Sequence, residues 1–352
     1  MRILFFGELY PDVVHGVSIA NRLNLDMLGS MGEVDIDKIQ EQTQVSSIGK
    51  SSFSKIKTLF SSIIKIWQHS GKNSYQTFYL VISLSLLGML KTLFAVYAFS
   101  LRGQGEIVLH LHRGDFVPFY HRHWWHRLLI RLCFRKVSRL IVLSEGQKTE
   151  MSTYFPSDFI YVVENTVLEE KQLPSFEVKD YFNNRFLYIS NYIREKGVFD
   201  LLDAFEMIDD VELHCYGAFT GNEAVLRDRE NAVIRIHSSI GGIEKFNAIH
   251  LADALILPSW NEGQPTIILE AMLVGTPILT TKVGLIGELL GEDYPFYFSP
   301  QNPSDLAACV KRFIAYEDKA ALSCQLQQRY FQFFSHTNHQ NKLFKAFGLN
   351  AI

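Results

Sequence analysis

The stretch Ala254–Gly275, ALILPSWNEGQPTIILEAMLVG, is the part of the sequence that decides the fold. Its first residues are apolar up to Pro258, which is typical of a buried strand, and Pro265 stands where the first turn of a helix would begin. The loop between them is polar, and the free backbone N–H groups at the start of the helix form a positive end that suits phosphate. The stretch therefore predicts a strand, an anion-binding loop and a helix, in that order.

Short apolar runs alternate with helical patterns on both sides of this stretch, as in a parallel sheet with crossover helices. Ligands bind such sheets beyond the carboxyl ends of the strands. The pattern predicts an α/β protein with two doubly wound parallel sheets, one in each half of the chain. The predicted strands are Arg2–Phe6, Glu33–Asp37, Tyr79–Ser83, Ile107–Leu111, Leu140–Leu143, Tyr161–Glu164, Phe186–Ser190, Val211–Tyr216, Val233–His237, Ala254–Leu257 and Pro277–Thr280.

A polar stretch that is rich in charge separates the two halves. We expect an N-terminal domain over residues 1–167, a linker over 168–184 and a C-terminal domain over 185–334. The end of the chain carries too many aromatic side chains to remain in solvent. A helix over about 335–352 is therefore expected to pack back on the N-terminal domain.

Two carboxylates accompany the anion-binding loop. Glu262 lies in the loop and Glu270 lies inside the helix, eight positions later. Carboxylates accept hydrogen bonds from hydroxyl groups, whereas the backbone of the loop suits phosphate. The residues of the loop itself are Gly263, Gln264, Pro265 and Thr266.

With its context, EGQPTIILEAMLVGTP, this pair resembles the E-x7-E motif of the retaining GT-B glycosyltransferases of family 4, also described as glycosyl transferases group 1. The resemblance implies a GT-B fold, in which two Rossmann-like domains face a central cleft and the donor lies on the second domain. It also implies that Glu262 binds hydroxyls of the donor sugar and that Glu270 binds the ribose of the nucleotide. The resemblance is strongest over residues 186–290 and weakest over 38–100.

A second segment, Phe186–Phe205, FLYISNYIREKGVFDLLDAF, resembles the one that opens the donor domain of that family. Lys196 matches the family lysine that contacts the donor diphosphate, where negative charge accumulates as the nucleotide leaves. Asn191 stands where many members have arginine, and Arg194 is a candidate to supply that charge.

The N-terminal half adds weaker matches. Gly16 matches a glycine of the loop after the first strand, where the family usually has two and this chain has His15 as the other. In IVLHLHRGDF, residues 107–116, His112 matches the family histidine near the anomeric centre, with His110 as its competitor. The candidate catalytic residues are therefore His112, Lys196 and Glu262. Candidates for contacting the acceptor are Asp115 and Ser144.

Charge is distributed unevenly along the chain although its net charge is only −3. Residues 42–139 carry 14 basic and two acidic side chains, a field that suits anionic lipid, a phosphate-bearing acceptor or nucleic acid. Ser51–Gln68 and His121–Arg139 have the pattern of amphipathic cationic helices. Two interpretations stay open for them: binding in a membrane interface, or packing on the core of their own domain.

The 25 residues of Thr77–Leu101 carry one charge, that of Lys91, so a membrane span has to be considered. The run Tyr79–Ser85 resembles a strand, and Leu86–Phe99 resembles a separate apolar helix. We expect a buried strand followed by a buried helix.

The sequence lacks the motifs of disulfide frameworks, metal sites and nicotinamide-binding sites. The four cysteines are far apart, so neither a disulfide framework nor a zinc site is indicated, and a reducing compartment is expected. The five histidines between positions 110 and 126 have no carboxylate or cysteine at ligand spacing. No GxGxxG motif points to a nicotinamide cofactor. We therefore expect no metal and no cofactor.

The sequence thus predicts a retaining, metal-independent glycosyltransferase that moves a sugar from a UDP- or GDP-linked donor to a hydroxyl of a glycan or a lipid-linked acceptor. Assembly of bacterial surface polysaccharide or glycolipid is the expected setting, in the cytoplasm or on the inner face of the plasma membrane, without a nucleic-acid partner. Two alternatives stay open: a sugar-nucleotide epimerase of the same fold, and a non-catalytic protein that binds nucleotide sugars.

Overall fold

The computed structural model describes residues 1–13, 15–40, 52–72, 74–179 and 181–349. The chain divides into two compact units. Unit 1 comprises Met1–Leu168 and His339–Ile352, and unit 2 comprises Glu169–Asn338. Residues 350–352 of the predicted terminal helix and Ser51 of the first predicted amphipathic helix lie outside the described residues.

Unit 1 contains a six-stranded parallel sheet in the order β2-β1-β3-β4-β5-β6. Its strands are β1 (Arg2–Gly7), β2 (Asp35–Gln40), β3 (Thr77–Val81), β4 (Glu106–His110), β5 (Arg139–Val142) and β6 (Ile160–Val162). The helices in this part of the chain are α1 (Gly16–Gly29), α2 (Ser52–Lys72), α3 (Leu86–Ser100), α4 (Phe116–Arg122), α5 (Trp124–Phe134) and α6 (Glu145–Met151).

Unit 2 contains a second six-stranded parallel sheet, in the order β12-β11-β10-β7-β8-β9. Its strands are β7 (Arg185–Ile189), β8 (Glu212–Tyr216), β9 (Ile234–His237), β10 (Ala254–Leu257), β11 (Ile278–Thr281) and β12 (Tyr297–Phe298). The remaining helices are α7 (Val198–Phe205), α8 (Glu223–Arg227), α9 (Gly242–Leu251), α10 (Thr266–Val274), α11 (Ile286–Leu290), α12 (Pro303–Ala315), α13 (Lys319–Phe333) and α14 (His336–Ala346).

The two faces of the unit 1 sheet carry two separate cores, because successive residues of a strand point to opposite faces. Leu4 and Leu109 belong to one core, which includes buried residues of α2, α3 and α5. Ile3 and Val108 belong to the other, which includes α1 and the part of α14 that lies in unit 1. Both faces are covered, which is why these strands are almost continuously apolar.

The predicted fold class, an α/β protein with two doubly wound parallel sheets, is confirmed. Each predicted strand overlaps an observed one, although Glu33–Asp37 was placed about two residues early, since the strand runs from Asp35 to Gln40. The two-residue strand β12 was not predicted, because two residues are too few to show a period.

The stretch Thr77–Leu101 forms strand β3 and helix α3. None of the described helices is both long enough and apolar enough to cross a membrane. The expectation that α3 is buried was wrong for one of its faces, because Leu87 and Phe94 are largely exposed.

Candidate functional site

The predicted anion-binding loop joins β10 to α10. All four residues of β10 are buried, and the chain stays buried through Ser259 before it reaches the exposed Asn261. Pro265 is the residue before the helix, and its own side chain makes no capping hydrogen bond with the first turn of α10. Within that turn the Ile268 N–H donates to the Pro265 carbonyl at 3.2 Å. The N–H groups of the turn carry the positive end of the helix dipole, which favours an anionic ligand.

Contacts with the next loop hold this backbone in place. The Thr281 hydroxyl donates to the Ser259 carbonyl at 2.6 Å, and the Leu285 N–H donates to the Gly263 carbonyl at 3.0 Å. Gly284 has a φ of +57°, and a Cβ there would lie 1.9 Å from the Glu262 carbonyl oxygen. Only glycine allows the two loops to approach this closely.

Lys196 reaches the same loop from the end of β7. It closes a short 3-10 turn, Arg194–Lys196, which is followed by Gly197 with a φ of +70°. A Cβ on Gly197 would lie 2.0 Å from the Pro258 carbonyl oxygen, so glycine lets this turn sit against the end of β10. The Lys196 ammonium is 2.6 Å from Oε1 of Glu262, whose side chain is only 8% exposed. The structure thus joins two of the three predicted catalytic residues in one ion pair.

Arg194 and Asn191 differ in what surrounds them. The Arg194 guanidinium lies 5.6 Å from the ring centre of Trp260, within cation–π distance, and the Trp260 indole N–H donates to Asp200 at 2.7 Å. Arg194 is therefore placed beside the Glu262 loop. Asn191 is exposed, and its carbonyl accepts a hydrogen bond from the Tyr188 hydroxyl.

Glu270 lies one turn into α10 and is buried. Its carboxylate pairs with the Lys245 ammonium at 2.9 Å, and Glu169 lies 3.9 Å from the same ammonium. Burial raises the pKa of Glu270 above its ordinary value, Lys245 opposes that rise, and Glu169 adds to it.

Sequence reasoning missed Lys245. It belongs to α9, where Phe246 and Ile249 are buried and Lys245 itself is only partly exposed. A lysine at the border of an apolar helix face was the available signal, since such a charge needs a partner. The partner, Glu270, lies 25 positions further along the chain.

His112 follows β4 in unit 1 and is buried. Its ring centre lies 3.8 Å from that of His110, whose Nδ1 is 2.8 Å from the Tyr79 hydroxyl. Nε2 of His112 has no hydrogen-bond partner among the described residues. Burial, together with the charges that His339 and His15 can carry, lowers the pKa of His112 to about 3. His112 is therefore a neutral imidazole near neutral pH.

Gly16 begins α1 at the end of the loop that follows β1. Apart from its chain neighbours and its own helix, no atom of the described residues lies within 4 Å of the position that a Cβ would take on Gly16. The preceding residue, His15, caps α1 by accepting a hydrogen bond from the Ser18 N–H, and its Nε2 lies 2.6 Å from Glu8. The residue that replaces a family glycine thus has a structural function.

The two acceptor candidates, Asp115 and Ser144, lie in separate loops of unit 1. The Asp115 carboxylate pairs with Arg113 at 2.6 Å. The Ser144 side chain is buried and accepts a hydrogen bond from the Gln147 N–H, which caps α6. Both side chains therefore already make local contacts.

The geometry of unit 2 suits an anionic ligand that also carries hydroxyl groups. The first turn of α10 and Lys196 offer positive charge, and Glu262 and Glu270 offer acceptors. No group of three or more His, Cys, Asp or Glu side chains within the described part of the chain could hold a metal ion.

Comparison with known families agrees with this arrangement. Residues 183–316 match the model of the family described as "Glycosyl transferases group 1". The match covers more than a third of the chain, and it confirms the predicted resemblance to glycosyl transferases group 1 for this segment.

Curated relatives match more than a third of the chain. The putative teichuronic acid biosynthesis glycosyltransferase TuaC of Bacillus subtilis is 26% identical over 127 residues, which are 36% of this chain and 32% of the relative. Glycogen synthase of Mycobacterium tuberculosis is 29% identical over 144 residues, 38% of this chain and 34% of the relative. The matches thus span about a third of the length of these relatives.

Solved structures extend the likeness in fold to nearly the whole chain. Sucrose-phosphate synthase from Thermosynechococcus elongatus superposes with a TM-score of 0.76 at 16% identity, covering 99% of this chain and 98% of the other. Anabaena Alr3699/HepE, solved in complex with UDP, superposes with a TM-score of 0.73 at 16% identity, covering 99% and 100%. The predicted GT-B fold is confirmed.

Proposed function

We propose that this protein transfers a sugar from a nucleoside diphosphate sugar to a hydroxyl of an acceptor, with retention at the anomeric carbon. The observation that carries the proposal is the ion pair of Lys196 and Glu262 in the loop that leads into the first turn of α10. Positive charge for a diphosphate and a carboxylate for sugar hydroxyls lie together there, as a bound sugar diphosphate requires.

Each residue of the site then has a defined task. Lys196 and the N–H groups at the start of α10 stabilise the negative charge that develops on the departing nucleoside diphosphate. Glu262 accepts hydrogen bonds from the sugar and holds its anomeric carbon in position. Glu270 accepts hydrogen bonds from the ribose, and Lys245 keeps its carboxylate charged. Neutral His112 contacts the sugar, in keeping with the family resemblance.

The reaction needs no protein nucleophile and no metal in this proposal. The bond from the anomeric carbon to the β-phosphate oxygen breaks, and the acceptor oxygen bonds to that carbon on the same face of the sugar. The acceptor proton passes to the phosphate oxygen that leaves. The protein contributes position and charge, which together supply most of the acceleration in such a transfer.

The names of similar proteins favour particular substrates. HepE has been solved with UDP and with UDP-glucose, which supports UDP as the nucleotide of the donor. The name of TuaC refers to teichuronic acid, and another structural neighbour is a lipopolysaccharide outer core galactosyltransferase. We therefore propose a bacterial surface glycan or a lipid-linked glycan as the acceptor, reached from the cytoplasm at the inner face of the plasma membrane.

Thermal unfolding with UDP, GDP and their sugars tests the donor first. At about 100 times its Kd, a ligand stabilises the folded state by about 2.7 kcal/mol. The donor that stabilises most is then incubated with glycan acceptors, and the anomeric configuration of the product is determined by NMR.

Three results would overturn the proposal. Isomerisation of the sugar without an acceptor identifies an epimerase. Binding without turnover in the presence of acceptors identifies a nucleotide-sugar-binding protein. A product of inverted configuration refutes retention.

A further inference from the structure

Three helices of unit 1, α2, α3 and α5, form one layer on the sheet. Buried residues of all three belong to the same core. The Arg102 guanidinium after α3 lies 3.7 Å from the ring centre of Trp67 on α2, and the Tyr97 hydroxyl of α3 donates to the Leu132 carbonyl of α5 at 3.3 Å. The outer sides of the three helices therefore make one continuous surface.

Helix α2 leaves several of its large apolar side chains exposed. Ser62 and Ser70 are buried with Ile66, whereas Phe60, Ile64 and Trp67 are exposed, Phe60 to 61%. A helix on the surface of a soluble protein normally turns its apolar side chains inward. Large apolar residues that face outward at helical spacing mark a surface that meets an apolar partner.

Helix α3 continues this pattern. Leu87 and Phe94 of the helix and Leu101, the residue that follows it, are spaced seven residues apart, so they lie along one side, and all three are exposed. Phe94 is 50% exposed. The helix contains no acidic residue, and Lys91 is its one charged side chain.

Helix α5 adds tryptophan and arginine. Trp124 is 64% exposed and Leu128 is also exposed, with Arg127 and Arg131 beside them on the solvent side. Tryptophan prefers the boundary between hydrocarbon and lipid headgroups, because its ring is apolar and its N–H is polar. Arginine pairs with phosphate in the same layer.

The charge around this surface has a single sign. No Asp or Glu occurs in residues 42–105 or 116–144 of the sequence. The ion pairs of the described residues do not include Arg122, Arg127, Arg131 or Arg135. These cations therefore have no acidic partner in the described structure and can pair with an external anion.

We infer that this layer binds the surface of an anionic lipid bilayer. We call it the lipid-binding face and define it by the exposed side chains Phe60, Ile64, Trp67, Leu87, Phe94, Leu101, Trp124, Trp125, Leu128, Arg127 and Arg131. The apolar residues enter the boundary between headgroups and acyl chains, and the arginines contact phosphate groups.

Charge favours a membrane over a second copy of the chain. In a symmetric dimer the same patch would face itself, and the arginines of the two copies would repel each other. A bilayer with anionic headgroups offers both an apolar interior and the opposite charge. Binding of the bilayer is inferred from the surface alone. The inference rests on the proposed function in one respect only, namely that membrane contact brings the enzyme to a lipid-linked acceptor.

Co-sedimentation with vesicles tests the inference. We expect the full chain to bind vesicles of phosphatidylcholine mixed with phosphatidylglycerol, to bind phosphatidylcholine alone much more weakly, and to release as salt is added. Phe94→Glu should weaken binding about tenfold or more, because a charge replaces an inserted ring. The matched control is Phe331→Glu on α13, because Phe331 is also 50% exposed but lies in unit 2.

Two double variants test whether the arginines of the lipid-binding face contribute to binding. Arg127→Glu combined with Arg131→Glu should weaken binding about tenfold and remove most of its salt dependence. Arg235→Glu combined with Lys311→Glu, at exposed positions of unit 2, should leave binding unchanged. Each variant is also tested for thermal stability and for donor binding, which should match the wild type.

Equal binding to neutral and anionic vesicles would overturn the inference, and so would binding that survives Phe94→Glu. A dimer in light scattering that Phe94→Glu dissolves, without vesicle binding, would assign the face to self-association. Donor binding measured on the same samples separates these outcomes from failure of the proposed transferase function.

Discussion

The Lys196 ammonium and Oε1 of Glu262 lie 2.6 Å apart, so the two charges proposed for opposite parts of the donor neutralise each other. Glu262 is the more buried partner of the pair. A buried charge that loses its partner is costly, so neither residue can be removed without an effect on the other. A bound diphosphate can take the place of Glu262 beside Lys196 and release the carboxylate to the sugar hydroxyls.

This relationship predicts that Lys196→Met lowers kcat/KM about 100- to 1,000-fold, because it removes charge from the leaving group and leaves Glu262 unpaired. Steady-state kinetics with the identified donor measures the effect. The matched control is Glu292→Gln, which breaks the exposed pair of Lys282 and Glu292. A Lys196→Met enzyme that works as fast as this control would contradict the role of the pair.

Substitutions of Gly284 and Gly242 test whether the position of the Glu262 loop matters for binding of the nucleotide. Both have a φ of +57°, but a Cβ on Gly284 meets the Glu262 carbonyl at 1.9 Å, whereas one on Gly242 meets no other part of the described chain within 4 Å. Gly242→Ala should cost only the left-handed backbone strain, about 1–2 kcal/mol. Gly284→Ala should cost more, since the Glu262 loop must also move, and it alone should weaken binding of UDP.

Thermal unfolding and titration with UDP measure these two effects. Equal loss of stability in the two variants would show that the loops can separate freely. Unchanged UDP affinity in Gly284→Ala would show that the position of Glu262 and Gly263 does not matter for the nucleotide.

Lys245 controls the charge of Glu270. Burial raises the pKa of Glu270 and Lys245 opposes that rise, so Lys245→Met should raise the pKa further. Protonated Glu270 is a poorer acceptor for ribose hydroxyls. We therefore expect the affinity for UDP in the variant to be weak at acidic pH and to recover as pH rises, with the recovery at higher pH than in the wild type.

Calorimetric titration of UDP between about pH 5 and 8 measures this shift. Lys311→Met, at an exposed position of α12, is the control and should follow the wild-type profile. If the UDP affinity of Lys245→Met and of the wild type recovered at the same pH, Lys245 would act on structure alone.

Local features of the fold could be predicted from the sequence, because their signals are local. The order of strand, loop and helix around Glu262 follows from apolar periodicity and from Pro265 at the helix start. The same holds for the position of His112, which lies two residues beyond His110, the last residue of β4.

Features that depend on distant contacts could not be predicted. The pairing of Lys245 with Glu270 arises only when α9 and α10 pack together. The outward apolar side of α2 has the same period as an inward one, since periodicity defines a face and does not say what covers it. His15 could be noted only as a departure from glycine, because its cap on α1 depends on backbone geometry.

His112 provides a test of the unit 1 site through pH. Its pKa is lowered to about 3 by burial and by neighbouring histidines, whereas an unfolded histidine has a pKa of about 6.5. A lowered pKa in the folded state means that His112 contributes stability above pH 6.5, and that this contribution is lost as pH falls toward 3. The loss amounts to about 1.4 kcal/mol for each pH unit within that window.

We therefore expect His112→Asn to lower the pH dependence of unfolding free energy by about 1.4 kcal/mol per pH unit between about pH 6 and 4. Urea unfolding, followed by fluorescence of the unit 1 tryptophans, gives that slope. His121→Asn, at an exposed position, is the control and should keep the wild-type slope. Equal slopes for His112→Asn and the wild type would mean that His112 takes up protons freely in the folded protein, and a neutral imidazole could then not be assigned to the sugar.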